Sequence, residues 1–328
     1  MSELFSEWDL KLVEFKPFTN FCTGHSQTLI GHLIKSATFE NFLETDFIRL
    51  RDSDEIPIHF YIHPNSNWMV TLFHGLAGDH KSDYMQRTAR IAAQLGYSVC
   101  LVDHRGTLQG KGKNKNIYHS GKYEDIEDVF DYLNHKFKNL KQIFVGFSMS
   151  GSILLNYGIH LNLAKSNAKY LIVINPPVDL KLASLTLSKG FNKIYDYRFY
   201  IKLKNLIYNM KPNFNWPFYL KIFDFDNQIT AKMYGFKDAL DYYEKCSTVN
   251  SLNKLKIKTF VLTSKDDPFI PFSSYKNISK FENINLKITD SGGHLGYFHK
   301  KRLGSFNHRW LDHYFYQVLS MIYNHELI

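Results

Sequence analysis

Three residues of types that can do acyl-transfer chemistry stand in one order along the chain: Ser148, Asp267 and His294. A serine hydroxyl is a weak nucleophile at neutral pH and needs a base to take its proton. A histidine can do that near pH 7. A buried carboxylate can fix the imidazole tautomer and stabilise its cation. The oxyanion that develops needs backbone N–H groups aimed at it, and losing one such donor typically costs about 3–4 kcal/mol. The expected donors are Met149, which follows the serine, and Leu76 in the loop "HGLAG" (74–78). The acid segment reads "DDPFIP". An acid four residues before a proline selects Asp267, with Pro271 closing the frame, and Asp266 remains the alternative.

Each signal has an ordinary reading when taken alone. A small-residue turn after a strand, a His in a glycine-rich loop, a "DDP" turn and an "HGLAG" turn are all common. Their joint placement carries the catalytic reading, because each falls at the end of an apolar run. Ser148 lies in "VGFSMSG", where Ser150 stands in place of the last glycine of G-x-S-x-G. Serine is still small, and Gly151 follows.

The elements that must position these residues are legible as short apolar runs. They are "WMVTLFHG" (68–75), "YSVCLVDHRG" (97–106), "QIFVGFS" (142–148), "YLIVINPP" (170–177), "KTFVLTS" (258–264) and "NLKITDSGG" (285–293). Continuous rather than alternating apolar character predicts strands covered on both faces. Helical patterns intervene at 83–96, 123–137 and 150–164. Strand and helix in alternation predict an α/β chain with a mostly parallel central sheet and helices on both faces. Segments around 43–51 and 56–63 predict an antiparallel hairpin that starts the sheet. The alternation breaks at about 178–247, a stretch rich in Phe, Tyr, Lys and Asn, which predicts a helical cap inserted into a single domain spanning 1–328. In an open parallel sheet, sites lie at the carboxyl ends of strands. The order Ser, Asp, His is that of the α/β-hydrolase triad.

Composition narrows the alternatives. The chain has 328 residues, 44% of them hydrophobic, enough for a substantial core. Three cysteines, far apart, indicate neither a disulfide framework nor a zinc knuckle and fit a reducing compartment. The N-terminus lacks the pattern of a secretory signal, and the longest apolar runs are too short to span a bilayer. A soluble, cytoplasmic protein is expected. The net charge of +9 comes from scattered lysines rather than one patch, and no nucleic-acid motif accompanies it. A peripheral contact with an anionic membrane is compatible with it. "GKGKNKNIYH" (110–119) lacks phosphate-loop spacing: Gly106 to Gly110 is one residue short, and glycine follows Lys111.

With these residues in hand, nearly the whole chain resembles the YheT-like α/β-hydrolases, relatives of the eukaryotic hydrolase-domain lipases. The matching segments are "FKPFTNFCTGHSQTLIG" (15–31), "HGLAGDHKSDYM" (74–85), "VGFSMSGSILLNYG" (145–158) and "FDNQITAKMYGFKDALDYYEKCS" (225–247), with "KDDPFIP" and "GGHLGYF". "DHRGTLQGKGKNKNIYHSG" (103–121) is similar too, although the group's small residues after Arg105-Gly106 are replaced. The resemblance implies an α/β-hydrolase fold and hydrolysis of carboxylic esters through an acyl-serine on Ser148, Asp267 and His294; short- to medium-chain acyl esters are the expected substrates, with neither metal nor organic cofactor expected. A phospholipid-directed lipase or an acyltransferase on the same triad is the alternative, and a non-catalytic scaffold is a third. Fold and triad host many acyl chemistries, so neither names the ester. The aromatics Phe191, Tyr195, Phe199, Tyr200, Trp216 and Phe218 either line an acyl pocket or pack the cap, with packing expected for most. His119 either sits near the site or caps the helix that follows, the structural role being preferred, and His104 and Arg105 are expected to be scaffold.

Overall fold

The computed structural model describes all residues except 1–9, 11, 37, 40–42, 108–113, 139, 163–165, 209–212, 277, 279–280 and 327–328. The lysine-rich stretch discussed above lies partly outside the described residues, as does most of the extreme N-terminus. Among the described residues, no helix is long and apolar enough to cross a membrane.

Eight strands form one sheet: β1 (Glu44–Arg49), β2 (Glu55–Tyr61), β3 (Trp68–Phe73), β4 (Ser98–Val102), β5 (Lys141–Phe147), β6 (Ala168–Ile174), β7 (Lys258–Ser264) and β8 (Ile284–Thr289). Their spatial order is β1-β2-β4-β3-β5-β6-β7-β8. The first two strands pair antiparallel, and β2 joins β4 antiparallel. All later pairings are parallel. This is the α/β-hydrolase fold.

The parallel strands are apolar throughout because each face meets a helical layer. Successive strand residues point to opposite faces. Val70, Leu72, Ile143 and Val145 pack with Met85 and Ala89 of α2 (Asp83–Gln94) and with Trp310, Tyr314 and Val318 of the terminal helix (Trp310–Glu326). Met69, Phe73 and Phe144 face the other way, onto Ile126 and Val129 of α3 (Glu124–Lys136) and Ile153 and Leu154 of α4 (Met149–His160). That opposite layer also takes in Tyr200, Leu203 and Phe225 from beyond β6.

Between β6 and β7 the described chain is helical. It runs through α5 (Leu180–Leu187), α6 (Lys193–Ile207), α7 (Ile222–Phe225), a π turn at Asp226–Thr230, α8 (Ala231–Tyr234) and α9 (Ala239–Cys246). Asp179 starts α5 by accepting from the Leu182 amide (2.9 Å), and Asp238 does the same for α9 at Asp241 (2.8 Å). An additional helix, αN (Gly24–Leu33), precedes the sheet. Thr23 and Ser26 start it with a reciprocal capping box. The terminal helix is here called αC.

Candidate active site

Ser148 stands between β5 and α4 with φ 53° and ψ −121°. A non-glycine residue in this region costs about 1–3 kcal/mol and persists only where its surroundings hold it. Here the Ser148 amide donates to the Ile174 carbonyl (2.8 Å), and the Ser148 carbonyl accepts from Gly151 (2.8 Å). The tight contacts of the turn fall on glycines. A Cβ on Gly146 would meet the Ser150 carbonyl oxygen at 2.7 Å, and one on Gly151 would meet Pro176 Cβ at 2.8 Å. Position 150 carries no such constraint and does something else. Its Oγ bonds His104 Nε2 (2.7 Å) and donates to the His74 carbonyl, tying the elbow to the loop at 74–78.

Asp267 follows β7 and His294 follows β8, and both are buried. His294 Nε2 lies 2.8 Å from Ser148 Oγ, and His294 Nδ1 lies 2.8 Å from Asp267 Oδ2. The other Asp267 oxygen accepts from the Phe269 and Ile270 amides (2.8 and 3.1 Å). Asp266 points elsewhere: its Oδ1 accepts from the Gly293 amide (2.9 Å), and burial raises its pKa. It shapes the turn that presents the histidine.

The loop after β3 divides its amides. Gly75 N–H donates to the Tyr84 hydroxyl (3.0 Å) and Ala77 N–H to the Tyr118 hydroxyl (2.7 Å). Among the described residues the Leu76 amide has no partner, and neither has that of Met149, the first residue of α4. Gly75 sits so close to the serine that a Cβ there would approach Ser148 Cβ to 3.2 Å.

Several supporting residues were not apparent from the sequence. Asn175, after β6, donates to Asp267 Oδ2 (2.7 Å). Thr28 of αN accepts from the His294 amide (2.8 Å), and Gln27 bonds both the amide and the carbonyl of Phe298. The "GHSQTL" stretch thus anchors the loop that carries His294. Spacing alone gives no hint of this, because the partners are more than 260 positions apart.

Other expectations divide. Arg105 is fully buried and paired with Asp125 and Asp54, a scaffold role, and His104 is a buried partner of Ser150. His119 does not cap α3, whose preceding residue is Tyr123. It accepts from the Gly121 amide (3.2 Å), packs on Tyr234, and lines a cavity that opens at Ser148. Of the six aromatics, Phe199 and Tyr195 line cavities beside Ser148, Tyr200 is fully buried, and Trp216 packs on Phe214. Phe191 and Phe218 are exposed, with their rings against Tyr195 and Tyr197.

Among the described residues, one group has metal-ligand spacing: His59, His80 and Asp103. Its members also satisfy one another. Asp103 accepts from the His80 amide (2.6 Å) and lies 2.7 Å from His80 Nδ1 and 3.4 Å from His59 Nε2. Burial pushes the Asp103 carboxyl up, but the hydrogen bonds from His59 and His80 outweigh it and hold it well below its ordinary value. The group braces the loop between β3 and α2.

Comparison with known proteins agrees with this architecture. The model of the Hydrolase_4 family (serine aminopeptidase, S33) matches residues 64–295. YheT of Escherichia coli (strain K12), which bears an esterase name, is 27% identical over 87% of this chain and 87% of its own. Phospholipase ABHD3 of Bos taurus is 25% identical over 93% of this chain and 78% of its own. The solved structure of the Pyrococcus furiosus esterase Pf2001 superposes with a TM-score of 0.58 at 13% identity, covering 89% of this chain and 99% of that one, a likeness of fold. This chain belongs to the Hydrolase_4 family, and its motifs resemble those of the YheT-like group of α/β hydrolases.

Proposed function

We propose that this carboxylic ester hydrolase works through an acyl-serine on Ser148, with His294 as general base and acid and Asp267 as its orienting carboxylate. Ser148 Oγ attacks the ester carbonyl carbon while His294 Nε2 takes its proton. The tetrahedral oxyanion accepts from the Leu76 and Met149 amides. When the carbon–oxygen bond to the alcohol breaks, His294 returns the proton to the departing alkoxide. Water then attacks the acyl-serine with the same base, releasing the carboxylic acid and free serine. These steps need neither metal nor organic cofactor.

The observation that carries the reading is the line Ser148–His294–Asp267, with 2.8 Å at both junctions, on a turn of unfavourable backbone geometry. The two unpartnered amides beside it support the oxyanion assignment. We read the helical segment at about 178–247 as a cap over a single domain. A cavity opens at Ser148 beneath it, with Leu76, Met149, Leu187, Phe199, Phe225 and Ile270 in its apolar wall. His119, Asp226 and Tyr243 also face it. Three free cysteines accord with a cytoplasmic setting. The phospholipase and lipase names among the relatives keep a lipid ester as the second reading.

The test is Ser148→Ala. It should abolish labelling by a fluorophosphonate probe and lower the hydrolysis of p-nitrophenyl butyrate by roughly 10⁴-fold or more, with the circular dichroism spectrum unchanged. Undiminished hydrolysis by the folded variant would sink the assignment.

A further inference from the structure

Two cavities meet at Ser148, and they differ in character. One is the apolar cavity just described. The other is bordered by Thr28, Leu76, Tyr195 and His294, and by His32, Lys35, Arg198 and Lys202. His294 borders this second cavity and not the first. On the acyl-serine reading, that assigns the two halves of the substrate. The histidine that takes the serine's proton must hand it to the departing alcohol. The alcohol half therefore lies on the His294 side, in the second cavity, and the acyl half lies in the apolar one.

The rim on the alcohol side is cationic. Lys35 follows αN, while Arg198 and Lys202 lie one turn apart on α6, so two separate elements bring their charges together. Among the described residues none of the three has a carboxylate partner within ion-pair distance. Arg198 hydrogen-bonds His32 Nε2, and Lys202 Nζ donates to the Ala77 carbonyl (3.1 Å). The acids nearby do not neutralise the rim. Asp83 is engaged by Arg87 (2.8 Å), Arg309 (3.6 Å) and the Ser36 amide (2.6 Å). Partial burial, then Arg198 and Lys35, lower the pKa of Lys202, and Asp79 opposes them without reversing the shift. The His32 imidazole is lowered too, first by partial burial and then by Arg198, Lys202 and Lys35. Clustered like charges repel, and an anion set among them relieves that repulsion. A guanidinium beside ammonium groups is well suited to phosphate or carboxylate oxygens.

We propose that the alcohol half of the substrate carries an anionic group, phosphate or carboxylate, which is received by Arg198, Lys202 and Lys35. The preferred substrate is then a short- or medium-chain acyl ester of an acidic alcohol. The inference rests on the acyl-serine reading for the side on which the alcohol lies.

Matched esters that differ only in charge test it. The first pair is 1-butanoylglycerol 3-phosphate and 1-butanoylglycerol, and the second is 4-butanoyloxybenzoate and its methyl ester, each followed by butyrate release. At 50 mM NaCl, kcat/KM should favour the anionic member of at least one pair by ten-fold or more. That ratio should shrink several-fold at 500 mM NaCl. It should fall at least ten-fold in Arg198→Gln and at least several-fold in Lys35→Gln, both exposed positions whose replacement leaves the core intact. The decanoyl counterparts of the glycerol pair, presented in phosphatidylcholine vesicles, separate the sources. A preference in the vesicle pair alone identifies a lipid headgroup, and one in the soluble pairs identifies a soluble ester; both support the proposal. Equal kcat/KM within every pair, or a preference unchanged in Arg198→Gln, overturns it. Fluorophosphonate labelling of Ser148 keeps the two readings apart. Labelling with hydrolysis but no charge preference defeats this inference alone, whereas absent labelling and absent hydrolysis defeat the acyl-serine reading beneath it.

Discussion

Asn175 Nδ2 donates to Asp267 Oδ2 at 2.7 Å, the same oxygen that faces His294 Nδ1. Asn175 Oδ1 in turn accepts from the Tyr297 hydroxyl (3.0 Å), and the Asn175 backbone is left-handed, with φ 47°. Asparagine tolerates that conformation better than most residues. One side chain thus fixes the carboxylate from the strand between the serine and the acid.

Asn175→Ala should lower kcat about 10–100-fold with KM changed only a few-fold, because the carboxylate loses a donor that sets its orientation. It should also lower the melting temperature, since it leaves the Tyr297 hydroxyl unpartnered and alanine tolerates the left-handed backbone less well than asparagine. Asn175→Gly separates the two effects. Relief of backbone strain should recover part of the melting temperature and none of kcat. Recovery of both together would make Asn175 a purely structural residue.

The adjacent acids should behave very differently. Asp267→Asn replaces the acceptor facing His294 Nδ1 and favours the wrong tautomer, so kcat should fall by roughly 10⁴-fold. Asp266→Asn can still accept from the Gly293 amide, and kcat should fall less than ten-fold. Steady-state kinetics on p-nitrophenyl butyrate decide between them, and the reverse order would move the triad acid to Asp266.

The parts of this arrangement that were legible in the sequence are those set by local pattern. β5 and β7 read as strands because burial on both faces demands unbroken apolar runs such as "QIFVGF" and "KTFVLTS". Ser148, Asp267 and His294 stood out because each follows such a run. What stayed hidden depends on partners far apart in the chain. Nothing near Asn175 announces that its amide will meet a carboxylate 92 positions later. Tyr84 and Tyr118 occupy the amides on either side of Leu76 only after α2 and the loop before α3 have packed around β3. Ser150 looked like an imperfect glycine, yet its hydroxyl is a tie between the elbow and His104. The helix αC was not among the expected elements, although Trp310, Tyr314, Val318 and Ile322 stand at helical spacing, and with α2 it covers one face of the sheet.

His119 gives a prediction that does not depend on the reaction. Burial lowers its pKa to about 3, with Lys122 and Arg105 adding repulsion. The unfolded chain takes up that proton near the ordinary 6.5. Between these values the unfolded state binds a proton that the native state refuses, so stability is present above about pH 6.5 and is lost as the pH falls. Two pH units inside that window correspond to about 2–3 kcal/mol. His119→Asn offers an amide oxygen near the position of Nδ1, where it can still accept from Gly121, and removes the titration. His74 and His104, also lowered by burial, remain in both proteins and cancel in the difference. Urea unfolding at pH 7 and pH 4.5 should therefore show the variant losing about 2–3 kcal/mol less than the wild type. Equal losses would mean that the native protein protonates His119 as readily as the unfolded chain does, which a neutral imidazole enclosed by Tyr234, Phe236 and Tyr242 does not allow.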